Sequence, residues 1–113
     1  MDKKELARQA NEIMRLAEET GLTSNYFFTT TFQRYQVQLA ILDELEKAIN
    51  AEGMLVSKEY VKGRKNLYTN PAVSDYNRTT DSANKTVATL MRIIKSFEAE
   101  KDDADPLAEM ING

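Results

Sequence analysis

A long apolar stripe in the second half of the sequence limits the folds open to this chain. Its members alternate three and four residues apart: Val73, Tyr76, Thr80, Ala83, Val87, Leu90, Ile94 and Phe97. Asn70-Pro71 precedes the stripe, and Pro after an Asn cap is a strong helix start. We therefore predict one helix over about 71–100, roughly 45 Å long at about 1.5 Å per residue. Because this rod is longer than a 113-residue globule is wide, we expect it to pack against a second subunit.

Two earlier segments also have helical periodicity. The first spans about 2–20, and Gly21 after it is a candidate left-handed C-cap. The second spans about 24–52 and begins at a Thr23 or Ser24 cap. The apolar stripe of this second helix is Phe28, Phe32, Tyr35, Leu39 and Leu42. The chain is therefore predicted to be mainly α, and the stripes of its long helices to form a core and an oligomer interface.

Aromatic residues are concentrated at the start of the second predicted helix. They are Tyr26, Phe27, Phe28, Phe32 and Tyr35. At helical spacing such a cluster is more typical of a core or an oligomer interface than of a ligand cavity.

Residues 54–69 break the helical pattern. The β-forming residues of this segment are Val56, Tyr60, Val61, Leu67 and Tyr68. Residues 62–65, Lys-Gly-Arg-Lys, form a plausible turn. Two alternatives stay open, a short β-hairpin and a basic loop, because a lone two-stranded hairpin is only marginally stable.

The length of the chain fits one domain, and its C-terminal end differs in composition from the rest. We expect residues 1–100 to form a single helical domain that includes the basic segment 54–69. Residues 101–113 are expected to form an acidic tail. In this tail a charged helix breaker at 102–106 precedes a short apolar segment at 107–111.

The sequence contains no Cys and no His. The first absence removes disulfides, thiolate metal sites and a Cys nucleophile, and the second removes the commonest general base and metal ligand. Asp43 and Glu46 are spaced to share a helix face, but such a pair is more typical of a solvated surface than of a cation site. We therefore expect no enzymatic activity, no cofactor and no metal site.

Hydropathy places the chain outside the membrane. No apolar run approaches the roughly 20 residues needed to cross a bilayer. The first residues also lack the apolar core of a secretion signal. We therefore expect a soluble, intracellular protein without a membrane partner.

Charge is distributed unevenly along the chain. The net charge is −3, yet residues 54–97 have eight basic and three acidic groups, whereas residues 98–113 have one and six. The candidate DNA-binding residues are Lys58, Lys62, Arg64, Lys65 and Arg78. Four of these cations lie within eight residues, interspersed with Tyr60 and followed by Tyr68, which suits phosphate contacts beside base or sugar contacts.

Two alternatives to a DNA-binding segment stay open. The charge of residues 54–69 can serve solubility alone, as it does in many basic loops. A second candidate DNA surface lies on the third helix, at Lys85, Arg92 and Lys95.

Several short motifs follow one another in a defined order along residues 5–97. They are Gly21-Leu22-Thr23 after the first helix, Tyr35 near the centre of a long second helix, Glu52-Gly53 before Met54-Leu55-Val56, and Asn70-Pro71-Ala72-Val73. In this order and spacing the sequence resembles the P27-type family of phage terminase small subunits. One departure is that many members follow the last helix with a Gly-Leu-Thr-Pro…Arg segment, whereas Phe97 here leads into the acidic residues 98–105.

The resemblance implies a role in viral DNA packaging in the host cell cytoplasm. Small terminase subunits assemble into rings, bind double-stranded viral DNA and regulate a separate large terminase subunit, which holds the ATPase and the nuclease. The main alternative is a helical adaptor or regulator of phage or prophage origin that does not bind nucleic acid. A helix-turn-helix regulator is a weaker alternative, because Asn25-Tyr26-Phe27-Phe28 is too apolar to contact bases.

Overall fold

The chain is mainly helical, and the three predicted helices are confirmed. A computed structural model describes the backbone of residues 3–61 and 64–112, and the side chains of residues 4–55 and 67–100. The elements in order are α1 (Lys3–Thr20), a 3-10 turn (Leu22–Ser24), α2 (Tyr26–Glu52), β1 (Leu55–Val61), β2 (Arg64–Thr69) and α3 (Pro71–Asn112).

The packing within the chain divides it into two compact units. The first unit combines Met1–Gln36 with Lys85–Gly113, and the second unit is Val37–Asn84. The first unit therefore holds α1, the start of α2 and the C-terminal part of α3. The second unit holds the end of α2, both strands and the start of α3.

The first unit has an aromatic and aliphatic core. Phe28 stacks on Phe32 at a centroid distance of 5.7 Å, and Tyr35 lies 6.3 Å from Phe32. The hydroxyl of Tyr35 donates to Oε1 of Gln9 at 2.8 Å, and burial raises the pKa of this phenol. The buried apolar residues of this unit are Leu6, Ile13, Ala17, Leu22, Phe28, Phe32, Tyr35, Leu90 and Ile94.

The turn between α1 and α2 corrects one prediction. Gly21 has a φ of 76°, which fits the predicted left-handed cap, and Leu22 after it is fully buried. The cap of α2, however, is Asn25, whose Oδ1 accepts the N–H of Phe28 at 3.0 Å. The prediction that Thr23 or Ser24 caps α2 was wrong, because both residues lie inside the 3-10 turn. Asn25 is the extended residue directly before the helix.

The two strands form an antiparallel hairpin, which decides between the two alternatives for residues 54–69. Leu55 pairs with Thr69 at the base of the hairpin, and the register shifts between Glu59 and Val61. The helical part of this second unit has a small core, because its buried apolar residues are Leu42, Ala72 and Ala83.

The third helix continues beyond the predicted end near residue 100, to Asn112. The predicted breaker at 102–106 does not end it. Pro106 removes one backbone donor and crowds one turn. The helix is already nucleated at that point, so each further residue adds a backbone hydrogen bond without the cost of a new nucleus.

None of the predicted stripe residues of the two long helices is exposed. Seven are buried, namely Phe28, Phe32, Tyr35, Leu42, Ala83, Leu90 and Ile94. The other six are half-buried, namely Leu39, Val73, Tyr76, Thr80, Val87 and Phe97. The half-buried positions leave part of the apolar stripe accessible from outside the chain.

Candidate nucleic-acid interface

Asn70 fixes the place at which the hairpin leaves the helical part of the second unit. Its backbone N–H donates to the carbonyl of Met54, and its side-chain Nδ2 donates to the carbonyl of Gly53, both at 2.8 Å. Its Oδ1 accepts the N–H of Ala72 at 3.0 Å and thereby caps α3. Because Asn70 is only 3% exposed, these bonds are shielded from water. One buried residue therefore ties together the end of α2, the base of the hairpin and the start of α3.

The local sequence explains why α2 ends and α3 begins at this point. Gly53 has a φ of 86° and its N–H donates to the carbonyl of Ile49 at 2.7 Å, so α2 ends in a left-handed glycine. Pro71 fits the first turn of α3 because its missing N–H is not needed there. Both boundaries were predicted. The bond from Nδ2 of Asn70 back to Gly53, 17 residues earlier, was missed, because no local pattern records it.

Three of the four predicted hairpin cations lie on the half of the hairpin that is distant from Asn70. Lys58 pairs with Asn66, Lys65 with Glu59, and Arg64 with Val61. Lys58 is three residues beyond Leu55, which is about 10 Å along the strand at about 3.3 Å per residue. Lys62 lies outside the described residues, as do the side chains of Lys58, Arg64 and Lys65. The backbone register therefore places three of the four cations on the three paired rungs farthest from Leu55.

Arg78, the fifth candidate, lies in the second turn of α3. Its side chain is 76% exposed, and its Nη2 donates to Oδ1 of Asp75 at 2.7 Å. It also lines a groove of about 510 Å³ within the second unit, beside Ile41 of α2. An exposed pair of this kind is weak, so a phosphate can compete for Arg78.

Apolar side chains are exposed at the base of the hairpin, which the sequence did not predict. Met54, Leu55 and Leu67 are 65%, 60% and 72% exposed. Exposed apolar residues beside a cationic segment are typical of a surface that meets a partner. The sequence predicted β-strands here. It could not predict which strand residues are exposed, because that depends on whether another part of the protein packs on each face of the hairpin.

The alternative DNA surface on α3 belongs to the first unit. Lys85, Arg92 and Lys95 are all exposed. No described acidic side chain forms an ion pair with any of them. The two candidate DNA surfaces therefore lie in different units, because the hairpin and Arg78 belong to the second.

Acidic residues of α2 form local ion pairs, since Asp43 and Glu44 both pair with Lys47. Within the described part of the chain, no group of three or more metal-ligating side chains comes together. Asp43 instead accepts a charge-assisted contact from Nζ of Lys47 at 3.2 Å. The hydrogen bond to Asp43 raises the pKa of Lys47.

No protein-family model, curated protein or solved structure matches this chain. Among the described helices, none has both the length and the apolar character needed to cross a bilayer.

Proposed function

We propose that this protein is a phage terminase small subunit. In this proposal it binds double-stranded viral DNA as a homo-oligomer in the host cell cytoplasm and regulates a separate large terminase subunit. The chain itself has no catalytic role, and ATP hydrolysis and DNA cleavage belong to the large subunit.

The cationic hairpin is the observation that supports DNA binding most strongly. A two-stranded ribbon fits the major groove of B-DNA, which is about 12 Å wide. The seven residues of β1 span about 23 Å, at about 3.3 Å per residue, so the ribbon is long enough to cross that groove. Lys and Arg on its outer half suit contacts to phosphates on either side. The hydrogen bonds of Asn70 hold the base of the ribbon while its outer half meets the duplex.

Self-association would compensate for the charge of each chain. A net charge of −3 disfavours the approach of one subunit to DNA. Several copies would present several hairpins to one duplex, and avidity would then multiply a weak contact. Val37 and Ile41 support self-association, because these apolar residues of α2 are 55% and 43% exposed.

A second candidate function is a helical adaptor that binds other proteins and no nucleic acid. Tyr26 and Phe27 favour it, since they are 74% and 72% exposed and their rings lie edge to face at 6.1 Å. Exposed aromatic residues are enriched at protein interfaces.

Binding of the full chain to double-stranded DNA distinguishes the two functions. We expect fluorescence anisotropy to detect binding to a labelled duplex, with an affinity that falls as salt rises. Light scattering should give the mass of a multi-subunit assembly, and neither ATP hydrolysis nor DNA cleavage should occur. A monomer that fails to bind duplex at low salt would favour the adaptor.

A further inference from the structure

The first unit has an open groove on its surface. The groove has a volume of about 480 Å³ and lies between the start of α2 and one face of α3. Phe27 on one wall is 72% exposed, and Ile93 and Phe97 on the other are half-buried. An apolar groove with an exposed aromatic wall is a surface suited to a partner.

Two opposite charges stand on the α3 wall of this groove, at equal distances from Ser96. Arg92 precedes Ser96 by four residues and Glu100 follows it by four. The two charges are about 12 Å apart along the helix, at about 1.5 Å per residue, so they cannot pair with each other. Among the described side chains, neither Arg92 nor Glu100 has an ion-pair partner.

We propose that this groove binds the same groove of a second copy of the chain, with the two α3 helices antiparallel and a two-fold axis at Ser96. Under this symmetry Arg92 of each copy lies opposite Glu100 of the other. The two-fold axis therefore creates two equivalent Arg92–Glu100 ion pairs across the contact. The small side chain of Ser96 allows the helices to approach closely. The contact covers Phe27, Ile93 and Phe97 of both copies.

The charge distribution along α3 selects the antiparallel direction. The segment 85–97 has three basic residues and no acidic one, and the segment 98–109 has six acidic residues and one Lys. Antiparallel helices place the basic segment of one copy beside the acidic segment of the other, whereas parallel helices would place like charges together. This contact differs from the buried stripe, because Leu90 and Ile94 belong to the core of the chain itself. The inference does not depend on DNA binding.

Charge reversal tests the reciprocal contact. Arg92→Glu or Glu100→Arg alone would set like charges opposite each other at both contacts, and we expect each to weaken self-association at least about tenfold. The double variant R92E/E100R restores opposite charges and should return to within about threefold of the wild-type Kd. Sedimentation equilibrium at low ionic strength measures the Kd of the wild type and of each variant. The matched control is K4E/E18R, which exchanges two exposed charges of α1 outside the groove and should change the Kd by less than about twofold.

Disulfide cross-linking gives a second test, because the sequence has no Cys and an introduced Cys would be its only thiol. Helices packed about 8–10 Å apart, with Cα atoms about 2.3 Å from each axis, bring the two Ser96 positions within disulfide reach. Ser96→Cys should therefore form a disulfide-linked dimer on mild oxidation. Ala88→Cys, an exposed position of α3 outside the groove, should not. A wild-type chain that stays monomeric, a double variant that stays as weak as the single ones, or equal cross-linking of the two Cys variants would each overturn the proposal.

Discussion

The two units of this protein differ in how they bury apolar residues. Among the described side chains, the first unit buries nine apolar residues, among them a stacked pair of Phe rings, whereas the second buries three, of which two are Ala. Among the same described side chains, the second unit exposes five large apolar residues and the first exposes two. The first unit therefore has the core expected to supply stability, and the second has more surface available to a partner.

This difference in packing favours the second unit as the place of the binding surface. A site that meets DNA or another subunit needs exposed side chains on a stable base, and such surfaces are drawn from the less densely packed parts of a protein. In the second unit the base is the Asn70 junction, and the exposed part is the hairpin.

Matched substitutions of two buried leucines, one in each unit, test whether the first unit has the more stabilising core. Leu90 of the first unit is 0% exposed and Leu42 of the second is 2% exposed, so Leu90→Asp and Leu42→Asp both bury a carboxylate. We expect L90D to unfold the protein or to lower its Tm by more than about 10 °C, since it strikes the larger core. L42D should lower the Tm less. Thermal unfolding followed by circular dichroism decides, and equal losses or a wild-type Tm for L90D would contradict the comparison.

Removal of the Asn70 side chain should have a smaller effect, centred on the hairpin. Asn70→Ala deletes the cap on Ala72 and leaves the carbonyl of Gly53 without its donor. We expect a loss of about 1–3 kcal/mol in the free energy of unfolding, measured with urea. Amide hydrogen exchange should accelerate in β1 and β2 more than in α1.

Asn70→Asp separates the two roles of this residue. The carboxylate can still accept the N–H of Ala72, but it has no hydrogen to donate to the carbonyl of Gly53. If the bond to Gly53 holds the hairpin, N70D should speed exchange in β1 and β2 as much as N70A does. Exchange at the wild-type rate in N70D would assign the effect to the helix cap alone.

Much of the fold could be predicted because its signals are local. The caps at Gly21 and Asn70, the stop at Gly53 and the heptad stripe all act within a few residues of the chain. The predictions failed where local rules compete. The 3-10 turn moved the cap of α2 to Asn25, and α3 continued through Pro106.

The candidate site could be predicted only in part. The break in helical periodicity and the charge count located the cationic segment, but the choice between a hairpin and a loop depends on pairing over longer distances. The bond from Asn70 to Gly53 and the exposure of Leu67 are properties of the folded chain, so no spacing rule contains them.

The central claim is that the hairpin of the second unit holds the DNA surface, and removal of its charges tests that claim most directly. The variant K62A/R64A/K65A removes three hairpin cations. The variant K4A/R8A/R34A removes three exposed cations of the first unit and serves as a control of equal charge. Duplex affinity measured at several salt concentrations gives the slope of log K against log salt for each protein. Light scattering verifies that both variants keep the wild-type mass.

We expect the hairpin variant to bind more weakly and to have a flatter slope, by about 0.9 for each DNA phosphate that the protein no longer neutralises. The control should keep the wild-type slope, since its three cations do not touch the duplex and their removal changes only the global charge. Sequence preference should change little, because phosphate contacts position the protein without specifying bases. If the hairpin variant retains both the affinity and the slope of the wild type, the claim is contradicted, and Lys85, Arg92 and Lys95 of α3 become the DNA surface to test.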